Sequence, residues 1–177
     1  TTEIYTLSLH DALPIFSHYN QDSVLMDNAS LSDYVYVADF FFTSCPSICP
    51  KVAKQMLRIY DAVKDEPMVK LVSFTIDPKR DDVKKLRLYA ENLGVDHNKW
   101  YFLTGDKDAT LELANTYFVA AFEDADAPGG FDHSGKILLV DKEGHIRSFS
   151  EGTDPENTPK IMEDINKLVA GYKAQNK

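Results

Sequence analysis

The sequence is poor in the features that define several common protein classes. Only two of its 177 residues are cysteine, too few for a disulfide-stapled scaffold or for a zinc site built from cysteines alone. No apolar run approaches the ~20 residues that a membrane-spanning helix requires. Basic clusters are also absent and the net charge is -9, which argues against binding to nucleic acid or to anionic membranes. We therefore expect no nucleic-acid partner, whereas a cation or a basic protein is compatible with this charge.

The composition that is present suits one domain with a substantial core. Hydrophobic residues make up 44% and charged residues 27% of the chain, as in ordinary soluble globular proteins. We find no internal repeat, linker or low-complexity segment, so residues 16–177 are predicted to form a single domain. Residues 1–15 show no helical or strand period and lack the basic start and apolar stretch of a signal peptide. We interpret them as a non-native or disordered tail and give His10 no functional weight.

Predicted strands and helices alternate along the chain, which is typical of a layered α/β domain. Two near-continuous apolar runs, Val35–Phe42 and Val69–Ile76, predict buried, adjacent central strands. The other predicted elements are helices at Lys51–Asp65, Asp81–Leu93, from Asp106 and from Thr158, a strand at Trp100–Leu103, a loop at Asp124–Ser134, and a hairpin of Lys136–Val140 with His145–Phe149.

The two cysteines, Cys45 and Cys49, lie between the first central strand and the helix that follows it. Open α/β sheets place their functional sites at this carboxyl edge. Pro46 is expected in the first helical turn, where free N–H groups and partial positive charge favour thiolate over thiol. Residues four apart on a helix share a face, so the sulfurs can converge on each other as a disulfide or on one soft metal ion. The alternative, two inert buried cysteines, does not explain this position.

A trigonal copper(I) site needs a third ligand beside two thiolates, and imidazole suits copper well. The chain has five histidines. His18 precedes the first convincing strand, and His97 and His145 lie beside polar turns where solvated side chains are expected. His133 differs, because it lies in GGFDHSG just before a predicted strand, where glycines permit close backbone approach. From spacing alone, a metal ligand and an ordinary loop histidine are both open.

Three blocks of the sequence together resemble a known family. VYVADFFFTSCPSICP, VSFTIDPKRD and GGFDHSGKILLVDKEGHIRSF are similar to the Sco/SenC family of copper chaperones, and the resemblance covers about residues 16–169. The C-x-x-x-C-P block and the D-H-S-G block are each weak alone but specific together. The resemblance implies a thioredoxin-like fold, with a central mixed sheet flanked by helices. It also implies an extracytoplasmic domain, in the bacterial periplasm or membrane-anchored and facing it, although no anchor is recognisable in this sequence.

The same resemblance implies a ligand set and a function. Copper would be bound by Cys45, Cys49 and His133, the last in the loop that faces the cysteines in thioredoxin-like folds. The expected function is that of a metallochaperone that delivers copper to the dinuclear copper site of cytochrome c oxidase, or prepares the thiols of that site. The expected partner is the copper-bearing subunit of the oxidase, and another copper donor or a thiol reductase is a further candidate.

Three aspartates are further candidates for a role near these ligands or in the core. Asp77 ends the second central strand at the same sheet edge, where it could orient a ligand or be a plain turn aspartate in DPKRD. Asp132 directly precedes His133 and is considered with Asp77 as an outer contact of the ligands. Asp39, within the first central strand, is expected to be a buried polar group that needs a hydrogen-bond partner, and no role is assigned to it.

Other functions remain open at this point. An extracytoplasmic thiol–disulfide oxidoreductase would use Cys45 and Cys49 as attacking and resolving sulfurs, with His133 tuning the thiol pKa. Whether the chain is an enzyme depends on this alternative. A peroxiredoxin is disfavoured because Thr43 lies two residues before Cys45 instead of three. A structural zinc module ranks last, since a third and fourth ligand are not clustered in the sequence.

Overall fold

The computed structural model describes residues 15–117, 119 and 121–175. Residues 1–14, most of the segment interpreted as a tail, lie outside the described residues, so that interpretation stays a prediction. In chain order the elements are β1 (Ser17–Asn20), β2 (Leu25–Asp27), α1 (Asn28–Leu31), β3 (Val35–Phe41), α2 (Cys49–Val63), β4 (Val69–Thr75), α3 (Val83–Leu93), β5 (Trp100–Thr104), α4 (Lys107–Thr116), β6 (Ala121–Glu123), a 3₁₀ turn (Pro128–Gly130), β7 (Phe131–His133), β8 (Lys136–Val140), β9 (Ile146–Glu151) and α5 (Thr158–Gln175).

The main sheet is mixed and has seven strands in the order β2-β1-β5-β4-β3-β8-β9. Strand β4 pairs in parallel with both β3 and β5, whereas β8 runs antiparallel to β3. The two runs predicted as adjacent central strands are confirmed, with Val35 opposite Val69 and Phe41 opposite Thr75. This is the thioredoxin-like arrangement, a mixed sheet flanked by helices, that the family resemblance implies.

Burial explains why the central strands have their sequence. Every residue of β3 is buried, as expected for a strand covered on both faces. The rings of Phe40 and Phe74 stack across β3 and β4, with centroids 5.2 Å apart. Helices α2 and α5 contact each other and pack on β8 and β9, while α3 packs on β5 and β1. Burial of each large apolar side chain contributes about 1.5–3 kcal/mol to the stability of the folded state. The central strands are therefore a stable support for the loops at the sheet edge.

The helix ends follow from local chemistry. Asp82 caps α3 by accepting a hydrogen bond from the Lys85 amide, and Gly94 ends that helix in the left-handed conformation. The helix predicted from Asp106 is confirmed as α4, and Asp106 caps it, since its carboxylate accepts a hydrogen bond from the Ala109 amide. None of the helices in the described part of the chain combines the length and the apolar character needed to cross a bilayer.

Two expectations near the cysteines were wrong in detail. Helix α2 begins at Cys49, so Pro46 and Cys45 lie in the preceding loop and the cysteines do not share a helical face. Pro50 takes the first-turn position instead, where the missing proline N–H costs nothing. The segment Asp124–Ser134 is also not a simple loop, because it contains the 3₁₀ turn and strand β7, which pairs antiparallel with β6.

Candidate metal centre

The loop between β3 and α2 carries Cys45. It turns immediately after the strand, with the Cys45 amide donating to the Phe42 carbonyl oxygen over 3.2 Å. The Thr43 amide and hydroxyl both donate to the carboxylate of Asp81, which belongs to the loop before α3. Cys49 is the first residue of α2, so its position is set by the helix. The two thiols are therefore held by different elements.

His133 reaches this loop from the β6–β7 hairpin. Its Nε2 lies 3.3 Å from Cys49 Sγ and 3.9 Å from Cys45 Sγ, although the chain separates it from Cys49 by 84 residues. Its ring packs edge-on against the Phe42 ring, with centroids 5.5 Å apart. All three side chains are buried, and their ligand atoms lie within 4.8 Å of one another. The structure thus brings together the three residues that the sequence singled out.

The spacing of these atoms suits a small, soft metal ion. In a trigonal site with metal–ligand bonds of about 2.0–2.3 Å, the ligand atoms lie roughly 3.7 Å apart. The separations between His133 Nε2 and the two sulfurs, 3.3 and 3.9 Å, bracket that value. Two thiolates and one imidazole are ligands that copper favours. The donor set and these two separations therefore fit copper.

The environments of the two thiols differ. Burial opposes ionisation of the Cys45 thiol. Hydrogen bonds from the amides and the side chains of Cys49 and Ser47 outweigh the effect of burial, so the pKa of Cys45 is lowered. Burial raises the pKa of the Cys49 thiol strongly, and the neighbouring charges of Cys45 and Asp39 add to that rise. The Ser47 hydroxyl lies 3.7 Å from Cys45 Sγ. Cys45 is thus the thiol that loses its proton first.

This asymmetry predicts an order of chemical modification. A substoichiometric alkylating reagent at neutral pH should label Cys45 several-fold faster than Cys49, because the thiolate is the reactive form. Mild oxidation should then remove both thiols together, since their sulfurs lie close enough to pair after a small shift. Peptide mass spectrometry and thiol titration measure these two results. Equal labelling, or two thiols that resist the oxidant, would contradict the pairing.

Asp77 is buried, and its carboxylate accepts a hydrogen bond from the Arg80 guanidinium over 3.0 Å. Asp132 lies in β7 opposite Phe122, next to His133 in the chain. A contribution of either aspartate to metal binding stays a prediction. Asp39 has the partner that its burial requires, because the Ser73 hydroxyl donates to it and Trp100 Nε1 in turn donates to Ser73 over 2.9 Å.

The remaining histidines of the domain lie in other environments. His18 is buried in β1, where its Nε2 lies 2.6 Å from the Thr110 hydroxyl. His97 is half-buried and contacts the Asp22 carboxylate over 3.0 Å, a pairing that the sequence did not predict. His145 is exposed beside its hairpin turn, as expected.

Sequence reasoning missed three residues that shape the site. The Phe42 ring packs against the His133 ring. Thr43, in the loop that carries Cys45, donates hydrogen bonds to the buried carboxylate of Asp81. Asp81 was expected only as the start of a helix in DPKRD. Its role depends on a contact 38 residues away along the chain, so local sequence carries no sign of it.

Comparison with known proteins agrees with this geometry. The family model described as SCO1/SenC matches residues 8–170. The chain belongs to the SCO1/SenC family. The SCO1 protein homolog of Bacillus subtilis is 32% identical over 154 residues, which cover 85% of this chain and 79% of that protein.

Solved structures of SCO1/SenC proteins superpose on the whole domain. A SCO1/SenC family lipoprotein from Bacillus anthracis matches with a TM-score of 0.82 at 26% identity, covering 91% of this chain and 96% of that one. BsSco, described as a member of the Sco family of cytochrome c oxidase assembly proteins and as containing a disulfide switch, matches with a TM-score of 0.75 at 28% identity, covering 90% and 94%. Copper-bound ScoI from Arabidopsis thaliana has the same fold, with a TM-score of 0.75 at 23% identity and coverage of 92% and 100%.

Proposed function

We propose that this SCO1/SenC protein is a metallochaperone that binds copper through Cys45, Cys49 and His133. The observation that carries the proposal is the convergence of two buried sulfurs and one imidazole nitrogen within 4.8 Å. Such a ligand set suits copper, and three protein ligands leave a coordination position open. An incoming ligand from a partner can occupy that position, so copper can pass by ligand exchange.

Copper loading in this proposal depends on the redox state of the cysteine pair. Both cysteines are free thiols in the structure, and thiolates are the form that binds metal. A Cys45–Cys49 disulfide offers no thiolate, so oxidation would abolish copper binding. Burial opposes ionisation of Cys45, but hydrogen bonds from Cys49 and Ser47 lower its pKa and favour the thiolate. Cys45 is therefore the first ligand to bind the ion.

The proposed partner is the copper-bearing subunit of cytochrome c oxidase. The relative BsSco belongs to a family of assembly proteins for that enzyme, which supports this assignment. The cargo would be delivered to the dinuclear copper site of the subunit, or the Cys45–Cys49 pair would reduce a disulfide at that site to the two thiols that bind copper and become a disulfide itself. The lipoprotein relative from Bacillus anthracis supports a location outside the cytoplasm, on or near a membrane.

A second candidate function, thiol–disulfide oxidoreductase, is favoured by the unequal thiols. The lowered pKa of Cys45 and the raised pKa of Cys49 assign attack on a partner disulfide to Cys45 and resolution of the mixed disulfide to Cys49. In that reaction the partner disulfide gains two electrons and the Cys45–Cys49 pair becomes a disulfide. The same residues can serve both functions, one at a time.

Copper loading of the reduced protein tests the proposed function. After incubation with copper and removal of unbound metal, we expect one copper ion per chain by elemental analysis and, for copper(II), a sulfur-to-copper absorption band. The matched control is the same protein oxidised to the disulfide, which should retain no copper. Failure of the reduced protein to retain copper, or equal retention by both forms, would overturn the proposal.

A further inference from the structure

Residues 77–81, which lie within the connection between β4 and α3, contact both the loop that carries Cys45 and the hairpin that carries His133. They form a tight turn in which the Arg80 and Asp81 amides donate to the Asp77 carbonyl oxygen over 3.1 and 2.9 Å. One side chain of this turn binds the loop that carries Cys45. Another binds the hairpin that carries His133. We call residues 77–81 the clamp segment.

The first contact is made by Asp81, which is fully buried. Its carboxylate accepts from the Thr43 amide over 2.9 Å, from the Thr43 hydroxyl over 2.5 Å and from the Thr75 hydroxyl over 2.7 Å. Lys85 Nζ lies 3.5 Å from the same carboxylate. Since Thr43 stands two residues before Cys45, these bonds determine where the cysteine loop leaves β3. A buried carboxylate that accepts several hydrogen bonds holds its donors firmly, because loss of any one donor leaves the buried negative charge of the carboxylate less stabilised.

The second contact is made by Arg80. Its Nη1 donates both to the Asp77 carboxylate, over 3.0 Å, and to the Gly129 carbonyl oxygen, over 3.2 Å. Gly129 adopts φ +86° and packs on Phe42 so closely that a Cβ there would lie 2.6 Å from the ring. The Arg80 side chain is 56% exposed, so its ion pair contributes little to stability. Its effect is geometric, because it ties the 3₁₀ turn before His133 to the base of the clamp segment.

We propose that the clamp segment positions the two halves of the metal centre, with Asp81 holding the cysteine loop and Arg80 holding the histidine hairpin. Asp81 and Arg80 are positioning residues and touch no metal ligand directly in this assignment. The expected changes in copper affinity rest on the proposed copper site. The effect of the clamp segment on the spacing of the two sulfurs does not depend on copper and can be measured in the metal-free protein.

The cysteine half is tested with Thr43→Val, which removes the hydroxyl bond to Asp81 and keeps the side-chain shape. We expect copper(I) affinity to fall about 10-fold, the lower end of the range for residues that orient metal ligands. Thr43→Ser, which keeps the hydroxyl, should bind like the parent. The matched control is Thr110→Val, because Thr110 is also buried and hydrogen-bonded but belongs to α4 and contacts His18.

The histidine half is tested with Arg80→Ala. We expect a roughly threefold loss of copper(I) affinity and a shifted copper(II) absorption band, because this contact is exposed and steers only the imidazole. The matched control is Arg58→Ala. Arg58 Nη1 likewise donates to a side chain, Gln55, and to a distant backbone carbonyl, that of Pro155, but it lies two and a half turns along α2 from Cys49.

A copper-free measurement separates this inference from the proposed function. In glutathione buffers, two protein thiols are oxidised as one oxidised glutathione is reduced to two thiols, and the equilibrium reports how close the sulfurs are held. Thr43→Val should shift this equilibrium several-fold toward the dithiol, whereas Arg80→Ala and both controls should match the parent. If the parent binds no copper, the proposed function fails and this equilibrium still decides the role of Asp81. If Thr43→Val matches Thr110→Val in both assays, the clamp assignment is wrong.

Discussion

Replacing His133 with alanine should nearly abolish copper(I) binding while leaving the cysteine pair able to exchange disulfides. The His133 Nε2 atom lies 3.3 and 3.9 Å from the two sulfurs, and it supplies the only nitrogen in the cysteine–histidine cluster. Loss of a direct ligand should cost more than the 10–100-fold typical for residues that only support ligands. Competition with a calibrated copper(I) chelator measures the affinity, and the sulfur-to-copper(II) absorption band should disappear with it.

Two sets of variants make this result specific. His145→Ala, at an exposed histidine of the β8–β9 hairpin, should bind copper like the parent. Cys45→Ser and Cys49→Ser should lose copper binding and should also fail to reduce a partner disulfide completely, because each variant lacks one of the two sulfurs that form the Cys45–Cys49 disulfide. A His133→Ala protein with the parent affinity and spectrum would show that His133 is only a loop histidine. The oxidoreductase function would then be the better account of the site.

The second large effect concerns stability, and it comes from Asp39. Burial raises the pKa of this carboxyl from its usual 3.8 to about 7, and the hydrogen bond from Ser73 only partly opposes that rise. Asp39→Asn should therefore be more stable than the parent at pH 8, with an upper bound of roughly 4 kcal/mol. Asparagine keeps a carbonyl oxygen for the Ser73 hydroxyl and carries no charge, so the packing should survive. Urea unfolding of the reduced protein at a series of pH values measures the difference.

The sign of the pH dependence follows from which state holds the proton. Between pH 4 and pH 7 the unfolded chain has lost the Asp39 proton while the folded chain retains it, so stability falls as pH rises through this range. Above pH 7 the folded state carries a buried charge and the full penalty is present. The free-energy curves of parent and Asp39→Asn should thus separate from pH 4 to pH 7 and run parallel above it. Curves that stay parallel throughout would show that Asp39 is ionised at no cost.

Much of the fold was predictable because its elements are locally encoded. The runs Val35–Phe42 and Val69–Ile76 consist almost entirely of residues that suit a strand buried on both faces, and both form central strands. The helix predicted from Asp106 begins there, with Asp106 as its cap, whereas the helix predicted from Asp81 begins two residues later, at Val83, with Asp82 as its cap. Strands β1 and β2 were not predicted, because they have only four and three residues and carry no long apolar run.

The sequence by itself determined which chemistry this protein can perform. Two cysteines after a central strand predict a pair that can bind a soft metal ion or form a disulfide, the family resemblance adds His133, and the structure brings Cys45, Cys49 and His133 together. Only the tertiary structure decided how they converge, since Cys45 lies in a loop, Cys49 opens a helix and His133 closes a hairpin strand. It also decided the anchors, because Asp81 meets Thr43, and Arg80 meets Gly129, across 38 and 49 residues of chain. Local propensity acts over a few residues, whereas these contacts exist only once the sheet has brought distant loops to one edge.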